Sequence, residues 1–156
     1  MDLLVHTQGY FFGLEAPDPD KTQVIFVHGA GGAPVEFASL VEGLDRKRYQ
    51  PWFFFYPSGL PLEQSAAVLS SVLELAVQDL GLRRIAIVAH SMGGLVAYAA
   101  VTMLCHDGLP DWLALFISIA TPYGGHDAAR LGVQRASEVV PSWRDLVPGE
   151  IGRAHV

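Results

Sequence analysis

Ser91 is the side chain in this sequence best placed to do chemistry. It lies in Ala89-His90-Ser91-Met92-Gly93-Gly94, after the apolar run Ile85-Ala86-Ile87-Val88 and before a run of small and apolar residues. The first run suits a strand buried on both faces. In the second, Leu95, Ala99 and Met103 share one helical stripe, and Val96, Ala100 and Leu104 share the next. A tight strand-to-helix turn strains its central residue and presses backbone on backbone. Only small residues, here Ala89 and Gly93, fit on either side. Such a turn lifts the serine hydroxyl off the end of the sheet to a helix N-terminus, where the dipole and free N–H groups favour developing negative charge. The chemistry would be nucleophilic attack on a carbonyl; the plainer use of such a serine is to cap the helix.

A second constellation comes earlier. The apolar run Val24-Ile25-Phe26-Val27 leads into His28-Gly29-Ala30-Gly31-Gly32. Attack on an ester creates an oxyanion, and backbone N–H groups must reach it without side chains in the way. A glycine-rich turn could instead hold phosphate, but this one lacks a Walker lysine and the dinucleotide-binding spacing.

The two motifs, in this order, resemble the α/β-hydrolase superfamily, lipases and esterases in particular. Ala89 stands where the usual Gly-x-Ser-x-Gly has its first glycine, and His28-Gly29-Ala30-Gly31 is similar to the His-Gly-x-Gly loop after the third strand of those enzymes. Thr121-Pro122-Tyr123-Gly124-Gly125 resembles the Thr-Pro-x-x-Gly segment of lipase-like hydrolases, including the GPI inositol-deacylase-like group, and 141–146 resembles a further lipase segment more weakly. The resemblance covers about residues 22 to 149. It implies Ser91 as nucleophile, with the N–H groups of Met92 and Ala30 as oxyanion donors and Gly31 as the near alternative. His28 would be structural. Gly29, Gly31, Gly32, Ala89, His90, Gly93 and Gly94 would support the site. The implied fold is α/β: a mainly parallel sheet with helices on both faces, lacking the superfamily's last strands.

A serine nucleophile needs a base, and the base needs an orienting carboxylate. The family order is serine, acid, histidine. His106, His126 and His155 follow Ser91. His106 is expected at the far end of the helix after Ser91. His126 comes early for the family's histidine, and Asp127 could stand in for an acid. Both stay open, their adjacency arguing against a joint role. The last residues, Ile151-Gly152-Arg153-Ala154-His155-Val156, match what one frame of a widely used sequencing adapter encodes, and Glu150 fits the preceding codon. The expectation is therefore one hydrolase domain over 1–149, an adapter-encoded tail over 150–156, a triad base and acid beyond this chain, and no activity for the chain alone. The reading is a carboxylic ester hydrolase in complete form. The alternatives are an acyltransferase of the same fold or a non-catalytic binding module.

The positioning elements are legible in outline. Tyr10-Phe11-Phe12 reads as a short edge strand, with Leu3-Leu4-Val5 before it, and Glu15 to Lys21 as a loop. Pro34 opens a helix with Phe37, Leu40, Val41 and Leu44 on one stripe. Trp52–Tyr56 is a strand, and Ser58 in Pro57-Ser58-Gly59 is a cap or turn residue. Leu69 to Leu80 is a helix stopped by Gly81. Trp112 to Ala120 reads as a central strand, buried on both faces. Four such strands alternating with helices imply parallel pairing.

The 156 residues suit one core. Net charge is −6 with no basic run, which argues against nucleic acid and against electrostatic docking on anionic membranes. A small-molecule or lipid ester is the expected partner, with peripheral membrane contact left open and oligomeric state undetermined. No metal or cofactor is expected. Met1 to Gly9 has neither a basic nor an apolar leader region, no apolar run reaches the roughly 18 residues of a membrane span, and the lone Cys105 suits a reducing compartment. The expected location is the cytoplasm.

Overall fold

A computed structural model describes residues 10–105, 107–135 and 138–150. The strands are β1 (Tyr10–Gly13), β2 (Thr22–Val27), β3 (Tyr49–Phe55), β4 (Ile85–His90) and β5 (Leu113–Ile119). They form one sheet in the order β1-β3-β2-β4-β5. Only β1 runs antiparallel, against β3; the other neighbours are parallel. The helices are α1 (Ala38–Glu42), entered through a 3-10 turn at Pro34–Phe37, then α2 (Leu62–Asp79), α3 (Met92–Met103), α4 (Asp127–Arg135) and α5 (Pro141–Asp145). The chain is thus an α/β fold with helices on both faces of a mainly parallel sheet.

Alternation along the strands sorts the core into two layers. Ile25, Val27, Trp52, Phe54, Ile85, Ile87 and Ala89 face α2 and α3, and meet Leu69, Leu73, Ala76, Val96 and Ala100. Val24, Phe26, Phe53 and Ala86 face the other way, onto Phe37, Val41 and Leu44. Burying each Leu- or Phe-sized side chain contributes about 1.5–3 kcal/mol. Gly81, at φ 67°, follows α2 as its stop. Near the start of β2 and β3, Gln50 accepts the N–H of Asp18 (2.7 Å) and donates to Ala16 O (2.9 Å), while Gln23 donates to Asp18 O (2.7 Å). This buried amide pair pins the 15–21 loop, and nothing in the local sequence pattern announced it.

Two expectations need correction. The Trp112–Ala120 segment does form a strand, but not a central one: among the described residues β5 pairs only with β4 and lies at the sheet edge. Leu113 and Phe116 pack against the α2–α3 layer. Leu115, Ile117 and Ile119 point to the opposite face and are 52%, 40% and 40% exposed. A continuous apolar run is the same whether its second face is covered or open, so composition could not separate the two. Leu40 is also exposed rather than on the buried stripe. Its segment enters through a 3-10 turn, whose tighter winding shifts the stripe by part of a residue. The polar helix α4 was not anticipated. Leu3-Leu4-Val5, His106 and residues 151–156, which carry His155 and most of the expected tail, lie outside the described residues. No helix among the described residues is long and apolar enough to cross a membrane.

Candidate active site

Register brings the two motifs together. Val27 pairs with Ala89 across β2 and β4, so His28 and His90 leave neighbouring strands at the same level. Ser91 follows at φ 52°, ψ −126°, and Met92 opens α3. A positive φ outside glycine is uncommon and costs on the order of 1–3 kcal/mol, so the surrounding structure must hold it. It does so sterically. A Cβ on Gly93 would sit 2.3 Å from His28 O and 2.5 Å from Val27 O. One on Gly94 would sit 1.9 Å from Thr121 Oγ1. Ala89 is fully buried. The N–H of Ser91 donates to Ile119 O at 2.8 Å, and the residue after Ile119, Ala120, also has a positive φ, 51°. The ends of β4 and β5 are therefore strained side by side.

The His28–Gly32 loop lies against this turn. A Cβ on Gly29 would be 3.0 Å from Ser91 Cβ, so glycine allows the approach. His28 is buried and both its ring nitrogens are occupied. Nδ1 bonds Gly29 O at 2.8 Å, and Nε2 meets the N–H of Tyr56 at 3.2 Å. Those partners fix the neutral tautomer with the proton on Nδ1. Burial holds the imidazole pKa below its ordinary value. Tyr56 stacks on the ring at 4.5 Å and donates its hydroxyl to His28 O at 3.0 Å. Burial also pushes the Tyr56 phenol pKa up. His28 is thereby a brace for the loop and has no nitrogen left to serve Ser91.

The amides of the loop divide by role. Gly32 N–H donates to Gly29 O at 3.1 Å, and Gly31 N–H donates to Ser58 Oγ at 2.8 Å. Ser58 is a turn residue as expected, but it also occupies the amide named above as the alternative oxyanion donor. Ala30 N–H has no acceptor among the described residues. Met92 N–H lies in the first turn of α3, where a helix has no internal acceptor to offer.

Sequence reasoning missed Glu36. Its Oε1 accepts Gly29 N–H at 3.2 Å, and its Oε2 lies 2.9 Å from His90 Nδ1. No local signal marks it, since the contact joins residues 54 apart. The open candidates for base and acid, His126 and Asp127, make no hydrogen bond to Ser91 among the described residues. His126 accepts Ala128 N–H through Nδ1 at 3.1 Å and donates its own N–H to Leu146 O, at the start of α4. Asp127 is the first residue of α4. No histidine is hydrogen-bonded to the Ser91 hydroxyl among the described residues. Asp145, by contrast, caps α2, accepting Leu62 N–H at 2.8 Å. No group of three or more potential metal ligands occurs among the described residues.

Comparison with known proteins gives the chain a family and a shared fold. A family model described as "Putative serine esterase (DUF676)" matches residues 64–152, more than half of the chain. No curated protein matches. Among solved structures, the mature lipase BlEst2 of Bacillus licheniformis aligns with TM-score 0.73 and 22% identity over 90% of this chain and 62% of that one. Phospholipase PlaB from Legionella pneumophila, in complex with thio-NAD, aligns with TM-score 0.63 and 22% identity, over 84% of this chain and 32% of that one. The monoacylglycerol lipase of Paleococcus ferrophilus aligns with TM-score 0.57 and 18% identity, over 86% of this chain and 54% of that one. These likenesses show a shared fold. The chain spans between about a third and three-fifths of the length of these three structures.

Proposed function

The chain belongs to the family described as "Putative serine esterase (DUF676)", and on that premise we propose that it carries the nucleophilic half of a carboxylic ester hydrolase. Ser91 Oγ attacks the ester carbonyl carbon while its proton passes to a base. The carbonyl oxygen becomes an oxyanion, received by the N–H groups of Ala30 and Met92. Collapse of the tetrahedral intermediate breaks the bond to the leaving alcohol, which takes the proton, and leaves an acyl group on Ser91. Water, deprotonated by the same base, attacks the acyl carbon; collapse breaks the bond to Ser91 Oγ, which takes the proton back from the base, and the acid leaves. The observation that carries this reading is Ser91 at φ 52° beside the head of α3, with Gly29 pressed against its Cβ. Strain of that kind is tolerated where function requires the geometry.

The base and its acid, in this reading, come from sequence beyond residue 149, and 1–149 is the N-terminal part of a single hydrolase domain that the missing strands complete, with 150–156 an adapter-encoded tail. The substrate is a small-molecule or lipid ester, in keeping with the apolar residues Met92, Leu95 and Val96 that follow Ser91 in the chain. The test is hydrolysis of a p-nitrophenyl ester panel by the longest natural product containing residues 1–149. Ser91→Ala should lower turnover by roughly 10⁴-fold or more with melting nearly unchanged. Turnover at the parent rate would sink the assignment. One observation favours a second reading, a non-catalytic module of the same fold: no histidine meets the Ser91 hydroxyl among the described residues. Hydrolysis by the parent and not by Ser91→Ala decides against it. Release of acid to water rather than to an added alcohol separates hydrolase from acyltransferase.

A further inference from the structure

We propose that Glu36 is a positioning residue that locks the His28–Gly32 loop to the Ser91 turn. The inference rests on the esterase reading for its catalytic meaning, though its geometry stands independently. One carboxylate oxygen accepts Gly29 N–H at 3.2 Å and the other accepts from His90 Nδ1 at 2.9 Å. A carboxylate only accepts, so the His90 proton facing it sits on Nδ1. Gly29 in turn abuts Ser91 Cβ, and His90 is covalently next to Ser91. The circuit Gly29–Glu36–His90–Ser91 is thus closed by two hydrogen bonds, one packing contact and one peptide bond.

The loop is built to admit this carboxylate. A Cβ on Gly32 would sit 2.5 Å from Glu36 Oε1, so any side chain there would evict it. The 3-10 turn at Pro34–Phe37 supplies the rigid base, with Phe37 buried against Phe26 at 4.9 Å between ring centres. Without the tether, the peptide that leads into the Ala30 amide loses its fixed hydrogen bond at Gly29. The oxyanion donors on the loop and on α3 would then move independently, and small misplacement at such a site costs rate out of proportion to the distance. Glu36 touches neither substrate nor Ser91; it acts through Gly29 and His90.

The experiment compares Glu36→Ala, Glu36→Gln and His90→Ala with the parent. Amide hydrogen exchange is followed in the 156-residue chain, and ester kinetics in the longest natural product containing residues 1–149. Glutamine keeps one acceptor for Gly29 N–H and can donate to the other His90 tautomer, so it should restore what alanine loses. Glu36→Ala should speed exchange in 28–32 and in 90–92 together, and lower kcat roughly 10–100-fold with KM within about twofold. Glu36→Ala and His90→Ala should be non-additive when combined. Unchanged exchange at 90–92 in Glu36→Ala overturns the proposal, as does a parental kcat. If the parent itself hydrolyses no ester, the esterase reading fails. Coupled exchange at the two segments, restored by glutamine, would then still establish the tether.

Discussion

At the scale of single residues, His28 makes a claim about acid. Its imidazole is neutral in the fold, donating to Gly29 O and accepting from Tyr56 N–H, and burial lowers its pKa from 6.5. The unfolded chain therefore takes up a proton first as pH falls through about 6.5. Stability from this group is fully present above that value and is lost as pH drops toward the lower folded-state pKa, by at most about 1.4 kcal/mol per pH unit. Melting of the parent should fall between pH 7.5 and 5.5. His28→Gln, which offers a donor and an acceptor but no titration, should start lower and show a flatter dependence. Parallel pH profiles would contradict the neutral brace. Glu15, whose pKa is lowered by its hydrogen bond and pairing with Arg46, titrates below this window and does not interfere. Ala120 makes a second claim. At φ 51° it sits in a conformation that glycine adopts without cost. Ala120→Gly should therefore leave stability unchanged or raise it by up to about 1 kcal/mol, and Ala120→Val should lower it, as read by urea midpoints. Stabilisation by valine would show that the strain is absent.

At the scale of elements, the junction of β4 and α3 was legible because its physical demands are local. Gly93 is required because a Cβ there would lie 2.3 and 2.5 Å from the carbonyls of His28 and Val27 at the end of β2, and a small residue at a tight turn is visible in sequence. Gly93→Val should yield insoluble or unfolded chain, whereas Gly94→Ala, opposed by the Thr121 side chain, should fold with a loss of about 1–3 kcal/mol. A parental melting curve for Gly93→Val would deny the close approach. Glu36 was illegible for the opposite reason: its partners are Gly29 and His90, brought together only by the register of β2 and β4. Ser58 was read as a turn residue, and its second use, on Gly31 N–H, depends on a contact between residues 27 apart. The apolar run of β5 announced a strand but not its place at the edge, since order within a sheet is not encoded in any one segment.

At the scale of the whole molecule, the parallel sheet carries both candidate motifs to one end, and the α1-side face of β5 remains open. Leu115, Ile117 and Ile119 present an apolar stripe beside a strand edge that has no partner among the described residues. Such an edge favours self-association. The isolated chain should therefore show concentration-dependent association by light scattering. Leu115→Thr with Ile117→Thr should reduce it while shifting unfolding by no more than about 1 kcal/mol. Equal scattering from parent and double variant would place the sticky surface elsewhere. The central claim, that this fold exists to present Ser91 as a nucleophile, is tested most directly by mapping a fluorophosphonate adduct. The longest natural product containing residues 1–149 is treated with the probe, digested, and the modified peptide located by mass spectrometry. The account predicts one adduct, on Ser91, absent from Ser91→Ala and formed far more slowly in the 156-residue chain. An ester-hydrolysing protein whose adduct lies on another residue, with Ser91 unmodified, would contradict it.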